Sequence, residues 1–362
     1  MFVCNTKFSL DPFGDGGSKR SVQLREMLLS SPEVEIVEDD FSPCKGLSKL
    51  ELAKQSARAL KFISRNVGWS KYPSFGAKVQ AVKHFALRLP VIYDRYKGKE
   101  DICFIWENTG PANYSHPYLM KETGAKVIAF PHNLESLVPG QRDVQTGKMS
   151  PDWLADEIER LKFCDKVFAI SEEESWLLRQ HGINASYFPY YPTKAAEAYL
   201  LNIREKRERR TPNERRKYLL LGSATNPPTR DGMQKLIDEA AGRDIDFDIC
   251  VAGYQTESLT IPSSENVNFL GTLSNEELNE WLTIADAMLI YQPPTSGALT
   301  RIAEMLVSGV PVFANFDAAR SYHRTADVVE YRDFDDLFRL LADFNPHQAV
   351  FPSNFRKTIF SI

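Results

Sequence analysis

Residues 291–312 read Tyr-Gln-Pro-Pro-Thr-Ser-Gly-Ala-Leu-Thr-Arg-Ile-Ala-Glu-Met-Leu-Val-Ser-Gly-Val-Pro-Val, and the changes of period around this run decide the fold. The apolar stretch Ala287–Tyr291 has strand character. A loop of small residues follows, and then Leu299–Val307 repeats as a helix. Gly309 stops that helix as a residue that tolerates the left-handed conformation. Pro311–Ala314 is again a strand. Strand, loop, helix and strand in so short a span make a βαβ unit, which implies a parallel sheet. The loop and the helix N-terminus suit a diphosphate. Arg301, in the first turn, has the fork geometry for a bidentate phosphate contact. Glu304 lies three residues on, on roughly the same helix face. Taken alone, the two could also be an i,i+3 surface ion pair.

The same grammar extends in both directions. On the N-terminal side of the run, strands are expected at Tyr218–Leu221, Phe247–Ala252 and Val267–Leu270. Helices are expected at Asp231–Ala241 and from Ser274, with Glu277 completing a capping box. The first half repeats the pattern. Its strands are expected near Phe2–Cys4, Val34–Val37, Ile102–Trp106, Lys126–Phe130, Lys166–Ile170 and Ser186–Phe188. Its helices are expected near Ser18–Leu29, Leu47–Asn66, Lys78–Tyr96, Pro151–Phe163 and Glu172–His181, the last capped by Ser171 with Glu174. The expected fold class is α/β, two doubly wound Rossmann-like domains facing each other across a cleft. The N-terminal domain covers 1–195, a charged linker 196–216, and the C-terminal domain 217–362. A chain of 362 residues is long enough for two such cores.

Composition sets limits. The net charge of −4 gives no global basicity, so nucleic acid is not an expected partner. The five cysteines are scattered without a Cys-x-x-Cys pair, which argues against a zinc or redox site and fits a reducing cytoplasm. The N-terminus lacks a basic region followed by an apolar run, and no apolar run approaches the ~18 residues that span a bilayer. The expected location is cytoplasmic, with any membrane contact peripheral on the inner face. Two basic segments leave that contact open. Arg204–Lys217 holds eight basic and three acidic residues, read first as a solvated linker and alternatively as a patch for anionic lipid. Lys78–Lys99 combines cations with an apolar stripe of Val82, Phe85, Leu89 and Tyr93. That stripe either packs on the sheet or rests on an anionic membrane. Pro90 should break the helix that carries it.

Three further motifs invite chemistry. Gly14-Asp15-Gly16-Gly17-Ser18-Lys19-Arg20 lies between the first strand and the first helix. Backbone N–H groups there can approach an anion, although an ordinary Gly-rich turn looks the same. His132, in Phe130-Pro131-His132-Asn133-Leu134-Glu135, follows a strand. It can hydrogen-bond a sugar or protonate a leaving group, or it can be a structural histidine. Asp244-Ile245-Asp246 has the form of a metal-binding Asp-x-Asp. Ile245, Phe247 and Ile249 alternate with Asp246 and Asp248, however, which reads as the start of a half-exposed strand.

These residues carry a resemblance. Gly297 to Pro311 looks like the nucleotide-binding helix of GT-B glycosyltransferases, with a Glu followed by Gly-x-Pro-Val, here Glu304 and Gly309-Val310-Pro311-Val312. Ala169-Ile170-Ser171-Glu172-Glu173-Glu174 is similar to the segment before the family's domain crossover. Phe269-Leu270-Gly271-Thr272-Leu273-Ser274, followed by Leu278 and Trp281, is similar to its strand, base loop and helix. Gly16-Gly17 matches its N-terminal glycine loop. The resemblance implies a glycosyltransferase that is hexosyltransferase-like, needs neither metal nor cofactor, and serves glycan or polysaccharide biosynthesis. Its donor is a nucleotide-diphosphate sugar and its acceptor a glycan or a lipid-linked sugar. Glu304 would accept from the ribose hydroxyls, and Gly16 and Gly17 would reach the distal phosphate. Gly297, Ala298 and Arg301 would line the diphosphate, with Arg230 a further phosphate contact. Gly222 would close the first strand of the nucleotide domain, and His132 would face the donor sugar. Retention at the anomeric carbon is implied by analogy alone. One departure is visible: Ser296 stands where many retaining members carry a first Glu. A nucleotide-sugar epimerase on the same fold and a non-catalytic sugar-nucleotide-binding subunit are the alternatives.

Overall fold

In the computed structural model the described residues are all but 7, 31–34, 73, 108, 111–112, 139–150, 261, 263, 323–324 and 354–362, with the side chains of 151 and 152 also set aside. Contacts divide the chain into Met1–Leu10 with Leu24–Pro189, and Asp11–Gln23 with Tyr190–Ile362. Each unit is an α/β layer structure around one parallel sheet.

The N-terminal unit runs β1 (Phe2–Asn5), α1 (Gly16–Leu28), β2 (Ile36–Glu38), α2 (Lys49–Asn66), α3 (Phe75–Arg88), α4 (Tyr93–Tyr96), β3 (Cys103–Trp106), α5 (His116–Lys121), β4 (Lys126–Ala129), α6 (Pro151–Leu161), β5 (Lys166–Ala169), α7 (Glu172–Gln180) and β6 (Ala185–Tyr187). The unit boundary falls inside α1. The strands pair in parallel in the order β2-β1-β3-β4-β5-β6. The winding direction therefore reverses between β1 and β3, and ligands of such sheets bind at that reversal, outside the carboxyl ends of the strands. The strand expected at Val34–Val37 begins, in part, outside the described residues; its described portion is β2. The helix expected over Lys78–Tyr96 is two pieces, α3 and α4, with Pro90 in the break, where proline has no N–H to give and clashes with the preceding turn. Its apolar stripe packs inward. Phe85 and Leu89 are buried, and Val82 and Tyr93 lie against the same core as Ile63, Phe104 and Val127. That stripe is not open to a bilayer. Arg88 and Arg95 are engaged too, donating to His116 at 3.3 Å and to Asp39 at 2.5 Å. Ser171 caps α7 by accepting from the Glu174 N–H at 3.2 Å. The Glu174 carboxylate does not close the expected box, because it accepts from the Leu134 N–H at 3.2 Å.

The C-terminal unit runs α8 (Lys194–Glu208), β7 (Lys217–Leu221), α9 (Pro227–Ala241), β8 (Asp248–Ala252), β9 (Val267–Gly271), α10 (Asn275–Ile284), β10 (Ala287–Ile290), α11 (Thr300–Ser308), β11 (Val312–Asn315), α12 (Phe316–Ala319), β12 (Val328–Tyr331) and α13 (Phe334–Asp343). Its parallel sheet has the order β12-β11-β10-β7-β8-β9. The reversal lies between β7 and β10. Ser274 and Glu277 form a complete capping box on α10. Gly309 ends α11 with φ +84°, a left-handed conformation that favours glycine. Of the Asp-x-Asp carboxylates Asp246 pairs with Arg216 at 3.1 Å, and Asp248 further along pairs with Arg215 at 3.0 Å.

Residues 196–216, expected as a linker, begin as helix. Ala196, Leu200, Ile203 and Arg207 recur at steps of four, three and four and form the buried face of α8. An arginine thus points into the unit, where it finds backbone carbonyls. Arg207 donates to the Leu282, Ala285, Gly309 and Thr283 oxygens at 2.6, 2.7, 3.1 and 3.2 Å. Arg204 reaches Leu306 O, Arg210 reaches Ala285 O, and Arg216 reaches Leu341 O and Ala342 O. These oxygens lie at the C-terminal ends of α10, α11 and α13, whose last carbonyls lack helical partners and carry partial negative charge. The local excess of arginine is spent on capping helices.

Candidate active site

The carboxyl ends of β7 and β10 are built around Arg301. Its Nη1 donates to Leu221 O at 3.2 Å, and its Nη2 stands 3.5 Å from Gln292 Oε1. Its Nε is buried without a hydrogen-bond partner. Among the described residues no carboxylate pairs with it, and burial alone pulls its guanidinium down to about 10. Gly222 makes room for it: a Cβ there would lie 3.0 Å from Arg301 Nη1 and closer still to Thr229 and Met233. The loop before α11 turns at Gly297 with φ +80°, and Arg320 Nη2 donates to the Gly297 oxygen. Leu299 takes the N-cap position of α11 and gives its first turn no side-chain cap. An arginine fork without a counter-charge and a helix end with open N–H groups together form a cradle for an anion with several oxygens.

One turn along α11, Glu304 is 8% exposed and held from two sides. Lys19 Nζ donates to Oε2 at 2.8 Å, and the Tyr190 hydroxyl donates to Oε1 at 2.9 Å. Burial, and the carboxylate beside it, hold the Tyr190 phenol well above its usual range, so it stays a donor. Lys19 is carried there because residues 11–23 group with this unit, with Gly16 lying against Thr300, the first residue of α11.

In the N-terminal unit, His132 follows β4 and stacks on Phe8 with ring centroids 4.7 Å apart. Its Nε2 lies 3.8 Å from Glu107 Oε2, and that carboxylate is fully buried at the end of β3. Arg25 bridges Glu107 and Glu38, donating to Glu38 Oε2 at 2.9 Å. Beside this cluster a cavity of about 590 Å³ opens at the ends of β1 and β2, lined by Thr6, Phe8, Glu38, Asp39, Asp40 and Tyr96 among others. Phe8 is shared between the cavity wall and the His132 stack. Arg95 and Lys99 also line the cavity, with Arg95 paired to Asp39, and carboxylates and cations beside aromatic rings suit a polar ligand with several hydroxyls.

No family model matches the chain, and no curated protein matches it. Solved structures do. Sucrose-phosphate synthase from Thermosynechococcus elongatus is 16% identical with a TM-score of 0.55, covering 99% of this chain and 94% of its own. α,α-Trehalose 6-phosphate synthase from Burkholderia multivorans is 10% identical with a TM-score of 0.57, covering 99% and 92%. Anabaena HepE in complex with UDP is 12% identical with a TM-score of 0.57, covering 99% and 94%. The chain has the GT-B fold. Within the unit of this GT-B chain formed by Asp11–Gln23 and Tyr190–Ile362, Gly16, Gly222, Gly297, Arg301 and Glu304 are brought together around the start of α11 and the ends of β7 and β10. Gly17 follows Gly16 in α1, and Ala298 lies in the loop just before α11. Arg230 lies on the first turns of α9, exposed and paired with Asp231 at 2.9 Å. Lys19 and Tyr190, and in the other half Glu107 and Arg25, escaped the sequence reading. Lys19 carried a signal, as a cation in the first turn after the glycine pair; the others touch partners far away in sequence. Among the described residues no group of three His, Cys, Asp or Glu is placed to hold a metal ion, and no helix is long and apolar enough to cross a membrane.

Proposed function

We propose that this chain is a glycosyltransferase that moves a sugar from a nucleoside-diphosphate sugar to an acceptor hydroxyl without a metal ion. The observation that carries the reading is Arg301, a partly buried guanidinium that pairs with no carboxylate among the described residues, set where doubly wound sheets bind ligands. The UDP of the HepE complex, and the UDP and glucose of a second HepE structure, support a diphosphate and a sugar as the ligands. In transfer, the bond from the anomeric carbon to the diphosphate breaks and its electrons leave with the nucleotide. The acceptor oxygen bonds to that carbon and gives up its proton. Arg301 and the N–H groups of α11 stabilise the charge that builds on the diphosphate. Glu304 holds the ribose, and Gly16 and Gly17 meet the distal phosphate. The polar, aromatic cavity of the N-terminal unit takes the acceptor, a glycan or a lipid-linked sugar. Incubation with labelled UDP- and GDP-sugars, with and without EDTA, tests the reading. We expect transfer or slow hydrolysis that survives EDTA. Isomer exchange would make the chain an epimerase, and loss in EDTA restored by Mn²⁺ would contradict metal independence. Binding without turnover is the second reading, favoured by Ser296 at the position of a glutamate.

His132 is proposed as the group that meets the donor sugar. With Phe8 against its face and Glu107 within ion-pair reach, the ring is held in one orientation. Replacing it by alanine should lower turnover about 10²-fold with little change in nucleotide affinity. Wild-type turnover in a folded His132→Ala variant would make it a structural residue.

A further inference from the structure

Glu304, the ribose acceptor of the proposed site, is already occupied. Lys19 Nζ sits on one carboxylate oxygen at 2.8 Å and the Tyr190 hydroxyl on the other at 2.9 Å. The Lys19 and Glu304 side chains are 20% and 10% exposed, so water screens the pair only in part. A ribose diol must compete with an ammonium for the same oxygens. The ammonium, on a flexible four-carbon stem, stands on the first turns of α1, and Gly16 of the same helix end lies against Thr300 at the start of α11. The anion cradle also begins at Thr300. Lys19 thus has two anionic partners within its reach: Glu304 when the site is empty, and the diphosphate when it is filled.

We propose that Lys19 sets the preference of the site for nucleoside diphosphates over nucleosides. The diphosphate draws the Lys19 ammonium off Glu304, and the released carboxylate then accepts the ribose hydroxyls. A nucleoside brings no such anion and meets Glu304 with Lys19 still bound. The phosphate and ribose subsites are therefore coupled through one lysine, and the coupling is reciprocal. Tyr190 keeps its hydrogen bond throughout and positions the carboxylate. This inference rests on the donor reading above.

The test uses Lys19→Met in the full chain, with UDP, GDP and ADP and the matching nucleosides as probes in calorimetry. In the wild type, pyrophosphate should improve nucleoside affinity several-fold. In Lys19→Met the diphosphate should bind roughly tenfold or more weakly, since a hydrogen bond to a charged group is lost. The nucleoside should bind at least as tightly as before, and pyrophosphate should no longer help it. Lys19→Arg, which keeps the charge, should retain the diphosphate preference. Equal weakening of nucleoside and diphosphate in Lys19→Met, or pyrophosphate enhancement that survives the substitution, would overturn the proposal and leave Lys19 a structural residue. Wild-type protein that binds no diphosphate at all removes the donor reading itself, and this inference with it.

Discussion

Arg301→Met should leave a protein at least as stable as the wild type that binds nucleoside diphosphates a hundredfold or more weakly. The two halves of that expectation share one cause. A guanidinium taken from water costs several kcal/mol unless charge and hydrogen bonds replace what water supplied. Here the replacement is thin: one bond at 3.2 Å, one contact at 3.5 Å, and a buried Nε with no partner. Methionine has a similar length, fills the same space and carries no charge to desolvate, so the empty protein loses little. A bound diphosphate loses its closest fixed charge. Truncating one side of a buried, hydrogen-bonded charge pair costs about 2–5 kcal/mol, or two to three orders of magnitude in affinity. Calorimetric titration and thermal unfolding of the same preparation check both halves. A variant that unfolds several degrees early and still binds the nucleotide normally would assign Arg301 to the scaffold.

The same substitution at Arg207 should have the opposite effect on stability. Arg207 is the more deeply placed of the two, and burial pulls its guanidinium down to about 9. It differs in what surrounds it. Four carbonyl oxygens between 2.6 and 3.2 Å receive its N–H groups, at the end of α10 and just beyond α11. Arg207→Met strands the Leu282 and Thr283 oxygens, while Ala285 O keeps Arg210 and Gly309 O keeps the Ala349 N–H. Each unsatisfied buried acceptor costs about 1–3 kcal/mol, so the two stranded oxygens leave a loss of about 2–4 kcal/mol. For a unit of this size that lowers the unfolding temperature by on the order of 10 °C. Urea unfolding followed by circular dichroism would show it as a lower midpoint with an unchanged slope. A midpoint within experimental error of the wild type would mean that the four bonds contribute nothing net. Two arginines on one unit, one partly buried and one buried, thus separate into a binding group and a structural one by the number of partners they have.

That contrast also marks what the sequence could tell. Local signals held well. The period change at 287–314, the stop at Gly309, the break at Pro90 and the capping box at Ser274 depend on residues within a few positions of one another, and each appears in the structure. Glu304 and Arg301 were legible because both lie on one short helix. α8 was read as a linker because its apolar positions, Ala196, Leu200 and Ile203, are diluted by charge, and the helix-end carbonyls that its arginines cap lie 75 to 102 residues away. β12 and α13 lie beyond the last element read, although Asp333, which caps α13, was a usable start signal. The grouping of residues 11–23 with the second unit had no sequence signature, because it depends on contacts such as Lys19 with Glu304 across 285 positions. Tyr190 is a further case of this kind, a single tyrosine outside any periodic segment.

The account stands on a nucleoside diphosphate being the ligand of the C-terminal unit. The most direct measurement is a thermal-shift titration of the wild-type protein with UDP, GDP, ADP and their sugars. A ligand that binds only the native state at a hundred times its dissociation constant adds about 2.7 kcal/mol of stability, a shift of several degrees. The account predicts that at least one diphosphate gives such a saturable shift, that its nucleoside gives a smaller one, and that Arg301→Met abolishes it. A flat response to every diphosphate and every nucleotide sugar would contradict the account.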